Sequence, residues 1–131
     1  MDTNKIRHLL GRIGVAMVFT IFGAWEIMKP APWANYLPPF LATVGNPLTL
    51  ITIHGAVMII VGLAILTGFY LRIFAILAAI IILTIIITLI FLTGYADIVV
   101  RDTGLFFLVL SVAIDNERYL TLTKSKHYLL M

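Results

Sequence analysis

Residues 73–93 read IFAILAAIIILTIIITLIFLT, and the only polar side chains in this stretch belong to three threonines. A helix needs about 20 mostly apolar residues to cross a bilayer. Isoleucine favours strands in water, but inside a bilayer each backbone group must find its partner within the segment, which favours a helix. The stretch has no strand-like alternation of apolar and polar residues. It therefore predicts a transmembrane helix and an all-α fold.

The composition of the whole chain agrees with a membrane protein. Of its 131 residues, 62% are hydrophobic and only 11% are charged, and the mean hydropathy is +1.10. An ordinary soluble domain has about 25% charged residues. The formal net charge of +3 is too small to indicate a nucleic-acid partner. The chain has no cysteine, which excludes disulfides, thiolate metal sites and thiol redox chemistry carried by this chain alone.

Three other stretches complete a predicted integral membrane four-helix bundle. We expect one transmembrane domain over residues 1–131, with helices at about 9–29, 48–71, 73–93 and 98–114 and a cytoplasmic tail at 115–131. The fourth stretch has only about 17 residues, but short spans can cross where the bilayer thins or flanking residues snorkel. Membrane lipid is thus the first expected partner of the chain.

The connections between the predicted helices differ in length. The second and third helices are joined by a tight turn near Arg72, and the third and fourth by another at residues 94–97. The long connection between the first two holds all five prolines together with Trp33, Tyr36 and Phe40. Pro30 should end the first helix, because proline removes a backbone donor. We expect this uncharged aromatic loop to contain a short helical turn and to lie at the outer membrane interface.

The basic residues predict the orientation in the membrane. With four crossings, seven of the nine lysines and arginines fall on one side, which the positive-inside rule assigns to the cytoplasm. These seven are Lys5, Arg7, Arg12, Arg72, Arg118, Lys124 and Lys126. The prediction is therefore a multi-pass protein of the cell (plasma) membrane with both termini inside. The basic N-terminal stretch resembles a signal peptide, but no small-x-small site follows it, and we expect no cleavage.

Four ionisable residues share one predicted layer in the outer half of the membrane. They are Glu26, His54, Arg101 and Asp102, whereas the central and inner layers have none. Charges inside a membrane are costly and usually pair with one another or face a cavity. The simplest arrangement has Glu26 bridging Arg101, with Asp102 or His54 in the same network.

Together with two aromatic residues of the loop, these four form the predicted site for a ligand or a partner. The six candidates are Glu26, Trp33, Tyr36, His54, Arg101 and Asp102. The alternative is that the charged residues only fix how the helices pack. Small residues indicate close helix packing. They are Gly11 and Gly14 on the first helix and Gly55 and Gly62 on the second. Self-association is left open.

The sequence has no motif for an enzyme that works alone. It has no nucleophile with a base and an oxyanion hole. His54 is the only histidine in its layer, since His8 and His127 fall at the other face, so we expect neither a metal site nor a haem site. No covalently bound cofactor and no catalytic residue is predicted.

Four stretches, in order, resemble the DoxX family of membrane proteins. They are Arg12-Ile-Gly14, then FGAWEIMKPAPWANYLPPFL, then HGAVMIIVGLAILTGFYLR, then VVRDTGLFFLVLSVAI. The resemblance covers nearly the whole chain and implies a four-helix bundle. One branch of the family is the small subunit of a thiosulfate:quinone oxidoreductase, and others are linked to redox maturation or to membrane-bound oxidoreductase complexes. Some relatives use cysteines, which this chain lacks.

The resemblance and the polar layer together lead to one expected function. The chain would be a non-catalytic membrane subunit of a quinone-linked oxidoreductase system, with a quinone head group or a redox partner protein at the polar pocket. One alternative is a small transporter or lipid-handling protein. The small multidrug resistance family has an essential glutamate near mid-membrane, however, whereas Glu26 is near a helix end. The other alternative is a purely structural membrane partner.

Overall fold

The computed structural model describes residues 3–94 and 96–114, and within these residues every regular element is a helix. The elements are α1 (Thr3–Met28), α2 (Pro30–Ala34), a 3-10 turn (Pro39–Thr43), α3 (Pro47–Thr67), α4 (Leu71–Thr93) and α5 (Asp97–Ala113). The prediction of an all-α fold is confirmed. The cytoplasmic tail predicted at 115–131 lies outside the described residues.

Three of these helices are long and apolar enough to cross a membrane. They are α1 over Lys5–Met28, α3 over Pro47–Thr67 and α4 over Leu71–Thr93. Many of their large apolar side chains point away from the protein interior; Phe91, for example, is 85% exposed. In a bilayer such side chains contact lipid rather than water. The described part of the chain therefore has the helices of a membrane protein.

The helix bounds differ from the predicted ones at two places. α1 begins at Thr3 rather than at residue 9, because hydropathy marks only the apolar part of a helix, and the polar segment before it, with the good helix formers Lys5 and Arg7, continues the helix. α3 ends at Thr67 rather than at residue 71. Gly68 there has φ 81°, and its N–H bonds to the carbonyls of Ala64 and Ile65. Arg72 consequently lies in the first turn of α4 and not in the connecting turn.

The proline-rich connection contains two short helical elements where we expected one. Lys29, with φ −139° and ψ 76°, separates α1 from α2, and Pro30 begins α2. The 3-10 turn follows, and α3 then begins at Pro47, where the Oδ1 atom of Asn46 accepts a hydrogen bond of 2.9 Å from the N–H of Leu48. This arrangement satisfies one of the free backbone donors at the start of α3.

α1 and α3 run antiparallel and pack closely at three glycines. A Cβ atom on Gly23 would lie 2.6 Å from the carbonyl oxygen of Gly55, and one on Gly55 would lie 2.6 Å from that of Gly23. A Cβ atom on Gly62 would lie 2.6 Å from the hydroxyl of Thr20. At Gly23 and Gly55 no larger residue fits without a shift of the helix backbones, as expected for glycine contacts between membrane helices, whereas at Gly62 the Thr20 side chain would have to move. The sequence predicted this role for Gly55 and Gly62 but missed Gly23.

The helices associate in two pairs, with α1 packed most extensively on α3 and α4 on α5. Lighter contacts of α3 with α4 and of α1 with α5 join the pairs. Gly11 and Gly14 belong to this second kind of contact, since they face Val112 and Leu108 of α5 at ordinary packing distances. A buried core that includes Phe19, Ile65 and residues of α4 and α5 connects the pairs.

Candidate functional site

A cavity of about 310 Å³ lies between the two helix pairs, and side chains of all four long helices and of the proline-rich loop line it. All six residues predicted for the site are among its lining residues, namely Glu26, Trp33, Tyr36, His54, Arg101 and Asp102. Most of the remaining wall is apolar, with Val18, Met58 and Leu105 as examples. The structure thus brings the predicted residues together around one chamber with few polar groups.

Glu26 of α1 and His54 of α3 form the first polar pair in this wall. The Nδ1 atom of His54 lies 2.8 Å from the Oε2 atom of Glu26. A carboxylate only accepts hydrogen bonds, so the His54 tautomer with its proton on Nδ1 is the one that fits an ionised Glu26. Glu26 is only 6% exposed. The pair lies beside the glycine contact, since a Cβ atom on Gly55 would be 3.0 Å from the Cβ atom of Glu26.

Arg101 and Asp102, consecutive on α5, form the second polar pair. The Nε and Nη2 atoms of Arg101 each lie 3.1 Å from the Oδ1 atom of Asp102. Asp102 is 7% exposed, whereas the side chain of Arg101 is 58% exposed. The guanidinium also lies over the ring of Phe22 on α1, 5.6 Å from its centroid, which is a cation–π distance. Arg101 therefore connects α5 to α1 across the cavity.

The expected bridge between Glu26 and Arg101 is not the arrangement in the structure. Glu26 pairs with His54, as the wider network allowed, and Arg101 pairs with its sequence neighbour Asp102. The physical reason is the glycine contact, because it brings α3 closer to α1 than α5 comes. His54 is therefore the nearest partner for the buried carboxylate of α1. The four residues form two separate polar pairs rather than one bridge.

Aromatic side chains form one side of the cavity. Phe22 makes an edge-to-face contact with Trp33, with ring centroids 5.6 Å apart, and Trp33 lies 6.3 Å from Tyr36. Such pairs hold flat rings in defined orientations. The loop that carries Trp33 and Tyr36 is consequently fixed against α1, and its prolines and aromatic rings form part of the cavity wall.

A buried charge that was not predicted from the sequence lies at the other end of the α1–α3 pair. Arg12 is 2% exposed, although we expected no ionisable residue in the inner layers. Its Nε and Nη2 atoms donate to the carbonyls of Ile65 and Leu66, at 3.2 and 2.8 Å. These carbonyls belong to the last turn of α3, where a helix has unpaired acceptors and a partial negative charge. The sequence feature that could have predicted this contact is an arginine near the start of α1, opposite the end of the antiparallel α3.

The described residues contain no group of three His, Asp or Glu side chains that could hold a metal ion. The cavity wall instead has a carboxylate and an imidazole from Glu26 and His54, and a guanidinium and a second carboxylate from Arg101 and Asp102. Apolar and aromatic side chains form the rest of its surface. Such an arrangement suits a largely apolar molecule with a few polar atoms.

The free energy of unfolding should show that Glu26 is coupled to His54 and not to Arg101. In a double-mutant cycle, Glu26→Ala with His54→Ala should give a coupling energy of about 1 kcal/mol or more, as expected for a buried hydrogen-bonded pair. The matched cycle of Glu26→Ala with Arg101→Ala should give less than about 0.5 kcal/mol. Unfolding by SDS in mixed micelles is the measurement. A larger coupling to Arg101 would contradict the pairing described here.

Comparisons with protein-family models, with curated proteins and with solved structures find no match to this chain. They bear neither for nor against the resemblance to the DoxX family, which therefore stays an expectation based on sequence motifs.

Proposed function

We propose that the cavity binds the head group of a quinone, and that the chain is a non-catalytic membrane subunit of a quinone-linked oxidoreductase system. The observation that carries the proposal is that two polar pairs from three helices line one apolar and aromatic cavity of about 310 Å³. The DoxX-like motifs of the sequence favour the same function.

The chemistry of a quinone matches the wall of this cavity. Its head group is a flat ring with two oxygens, and its tail is apolar. The rings of Phe22, Trp33 and Tyr36 provide flat surface, and polar groups are available at Arg101 and His54. A few well-placed polar groups in an apolar pocket are the usual means of orienting a small ligand. The tail would leave between the helix pairs towards lipid.

The chain would position the quinone, while a partner protein would exchange electrons with it. Without cysteine, the chain cannot carry a thiol relay. The polar pairs can bind and orient a ligand, but they cannot themselves supply electrons. A redox partner protein is therefore part of the proposal.

In the membrane, α5 would be a fourth crossing beside α1, α3 and α4. Its 17 residues span about 25 Å as a helix, which a bilayer can accommodate by thinning. With four crossings, both termini and most basic residues lie in the cytoplasm, and the cavity lies towards the outside. The resulting fold would be the DoxX-like four-helix bundle.

A purely structural role explains the polar pairs but not the space between them. Buried pairs that serve only packing are surrounded by side chains at high density, whereas these pairs lie at a cavity. The position of Glu26, two residues before the end of α1, also differs from the mid-membrane glutamate of small multidrug transporters. We therefore prefer the ligand site to both alternatives.

Single-cysteine variants should report the four-crossing arrangement, since the chain has no cysteine of its own. Ala42→Cys should react with a membrane-impermeant maleimide in intact cells. Lys5→Cys and Lys126→Cys should react only after permeabilisation, because both termini are cytoplasmic. Gel-shift detection of the label is the measurement. If Lys126→Cys is labelled in intact cells and Lys5→Cys is not, α5 does not cross the membrane.

Filling the cavity should abolish quinone binding. Leu105 lines the cavity from α5, so Leu105→Trp should occupy the space and lower the affinity for a short-chain benzoquinone at least tenfold. Val100→Trp is the matched control on the same helix, because Val100 is 70% exposed and not part of the cavity wall. Titration of the purified protein, followed by tryptophan fluorescence or native mass spectrometry, is the measurement.

Two results would overturn the proposed function. One is that the wild-type protein binds no quinone while it is shown to be folded. The other is that Leu105→Trp and Val100→Trp bind quinone as well as the wild-type protein does, since binding would then occur on the lipid-facing surface rather than in the cavity.

A further inference from the structure

Both carboxylates in the cavity wall use only one of their two oxygens. Glu26 engages Oε2 with His54, and Asp102 engages Oδ1 with Arg101. Among the described residues, none bonds to Oε1 of Glu26 or to Oδ2 of Asp102. Both side chains are nonetheless at least nine-tenths buried, with 7% and 10% of their surface exposed.

These two oxygens retain some accessible surface, and they belong to residues that line the cavity. Neither oxygen is thus fully enclosed by protein. A carboxylate oxygen accepts hydrogen bonds and donates none. The guanidinium of Arg101, which stays protonated in proteins, donates to Oδ1 of Asp102 at 3.1 Å, as in an arginine–carboxylate pair. The cavity therefore has two acceptors, on α1 and on α5, that a ligand with hydrogen-bond donors would satisfy.

The oxidised and reduced forms of a quinone differ in this property. A quinone has two carbonyl oxygens, which only accept hydrogen bonds, and these would meet the two carboxylate oxygens with repulsion. A hydroquinol has two hydroxyl groups, which can donate one bond to each carboxylate. Hydrogen bonds to charged groups are stronger than those between neutral groups. Arg101 could donate hydrogen bonds to a quinone carbonyl. Two of its N–H groups are directed at Asp102, however, which leaves fewer donors for the quinone.

We propose that the cavity selects the reduced form of its ligand, a dihydroxy aromatic ring of the hydroquinol class, with Glu26 and Asp102 as the acceptors for its two hydroxyl groups. This inference rests on the proposed quinone-binding function and adds the redox state that the site prefers. Preferential binding of the reduced form raises the reduction potential of the bound pair above that of the free pair, because binding stabilises only one side of the couple. The site would hold hydroquinol and release quinone.

The test compares both forms of one ligand on the full-length protein. The protein is placed in phosphatidylcholine nanodiscs and titrated under anaerobic conditions with a decyl-substituted benzoquinone and with its hydroquinol, using tryptophan fluorescence. We expect the hydroquinol to bind at least tenfold more tightly, since each hydrogen bond to a charged group changes affinity roughly tenfold or more.

Variants of the two acceptors separate this preference from general binding. Glu26→Gln and Asp102→Asn keep the shape of each side chain but replace a carboxylate oxygen by an amide, which can also donate to a quinone carbonyl. Each should lower the preference for hydroquinol by about tenfold relative to the wild-type protein, because one of the two carboxylate acceptors is lost. Asp97→Asn is the matched control, because Asp97 is an exposed residue of the same helix α5 and does not line the cavity.

The outcomes distinguish this inference from the proposed function. Equal affinities for the two forms, tighter binding of the quinone, or an unchanged preference in both variants would overturn the inference and leave the quinone site standing. Binding of neither form to the folded wild-type protein would overturn both. If Asp102→Asn does not fold, because Arg101 loses its partner, the wild-type comparison and Glu26→Gln still decide the question.

Discussion

The backbone contact between α1 and α3 is the constraint on which the site depends. Gly23 and Gly55 allow the two helices to approach so closely that a Cβ atom on either glycine would collide with a carbonyl oxygen of the other helix. His54 and Glu26 flank this contact, and the short separation of the helices brings them within hydrogen-bond distance. A side chain at Gly55 would separate the helices and with them the polar pair. Two glycines, which have no functional groups, thus determine the distance between Glu26 and His54.

The opposite end of the same helix pair has a second polar contact. Arg12 donates to the last carbonyls of α3, so the antiparallel pair is held at one end by this contact and at the other by Glu26 and His54. With α1 and α3 fixed in this way, the lighter contacts with α4 and α5 leave space between the pairs. The cavity thus lies where the tight pair meets the looser one, and Arg101, placed over Phe22, crosses that boundary.

The sequence predicted the helices and the membership of the site better than it predicted the pairing within the site. Apolar length and proline placement are local properties, and they locate α1, α3, α4 and the loop between α1 and α3 to within a few residues, with larger errors at Thr3 and Thr67. Counting residues from helix ends placed Glu26, His54, Arg101 and Asp102 in one layer, and they do line one cavity.

Which carboxylate meets which cation depends on distances between helices. Those distances are set by contacts such as Gly23 with Gly55; the glycines of α3 predicted a close contact but not the residue of α1 that they meet. The buried contact of Arg12 also joins two helices, and the position of an arginine opposite the end of the next helix was its only sequence signal.

The most direct test of the account is to ask where a quinone contacts the protein. A photoreactive azidoquinone can be bound to the purified protein in nanodiscs and activated by light, and the labelled residues can be identified by mass spectrometry of its peptides. The account predicts labels on the cavity wall, in residues 33–41 of the loop and around Thr84 and Thr88 of α4, and their loss when excess unlabelled quinone competes. Labels confined to outward-facing side chains such as Phe91 and Leu10, unchanged by the competitor, would contradict it.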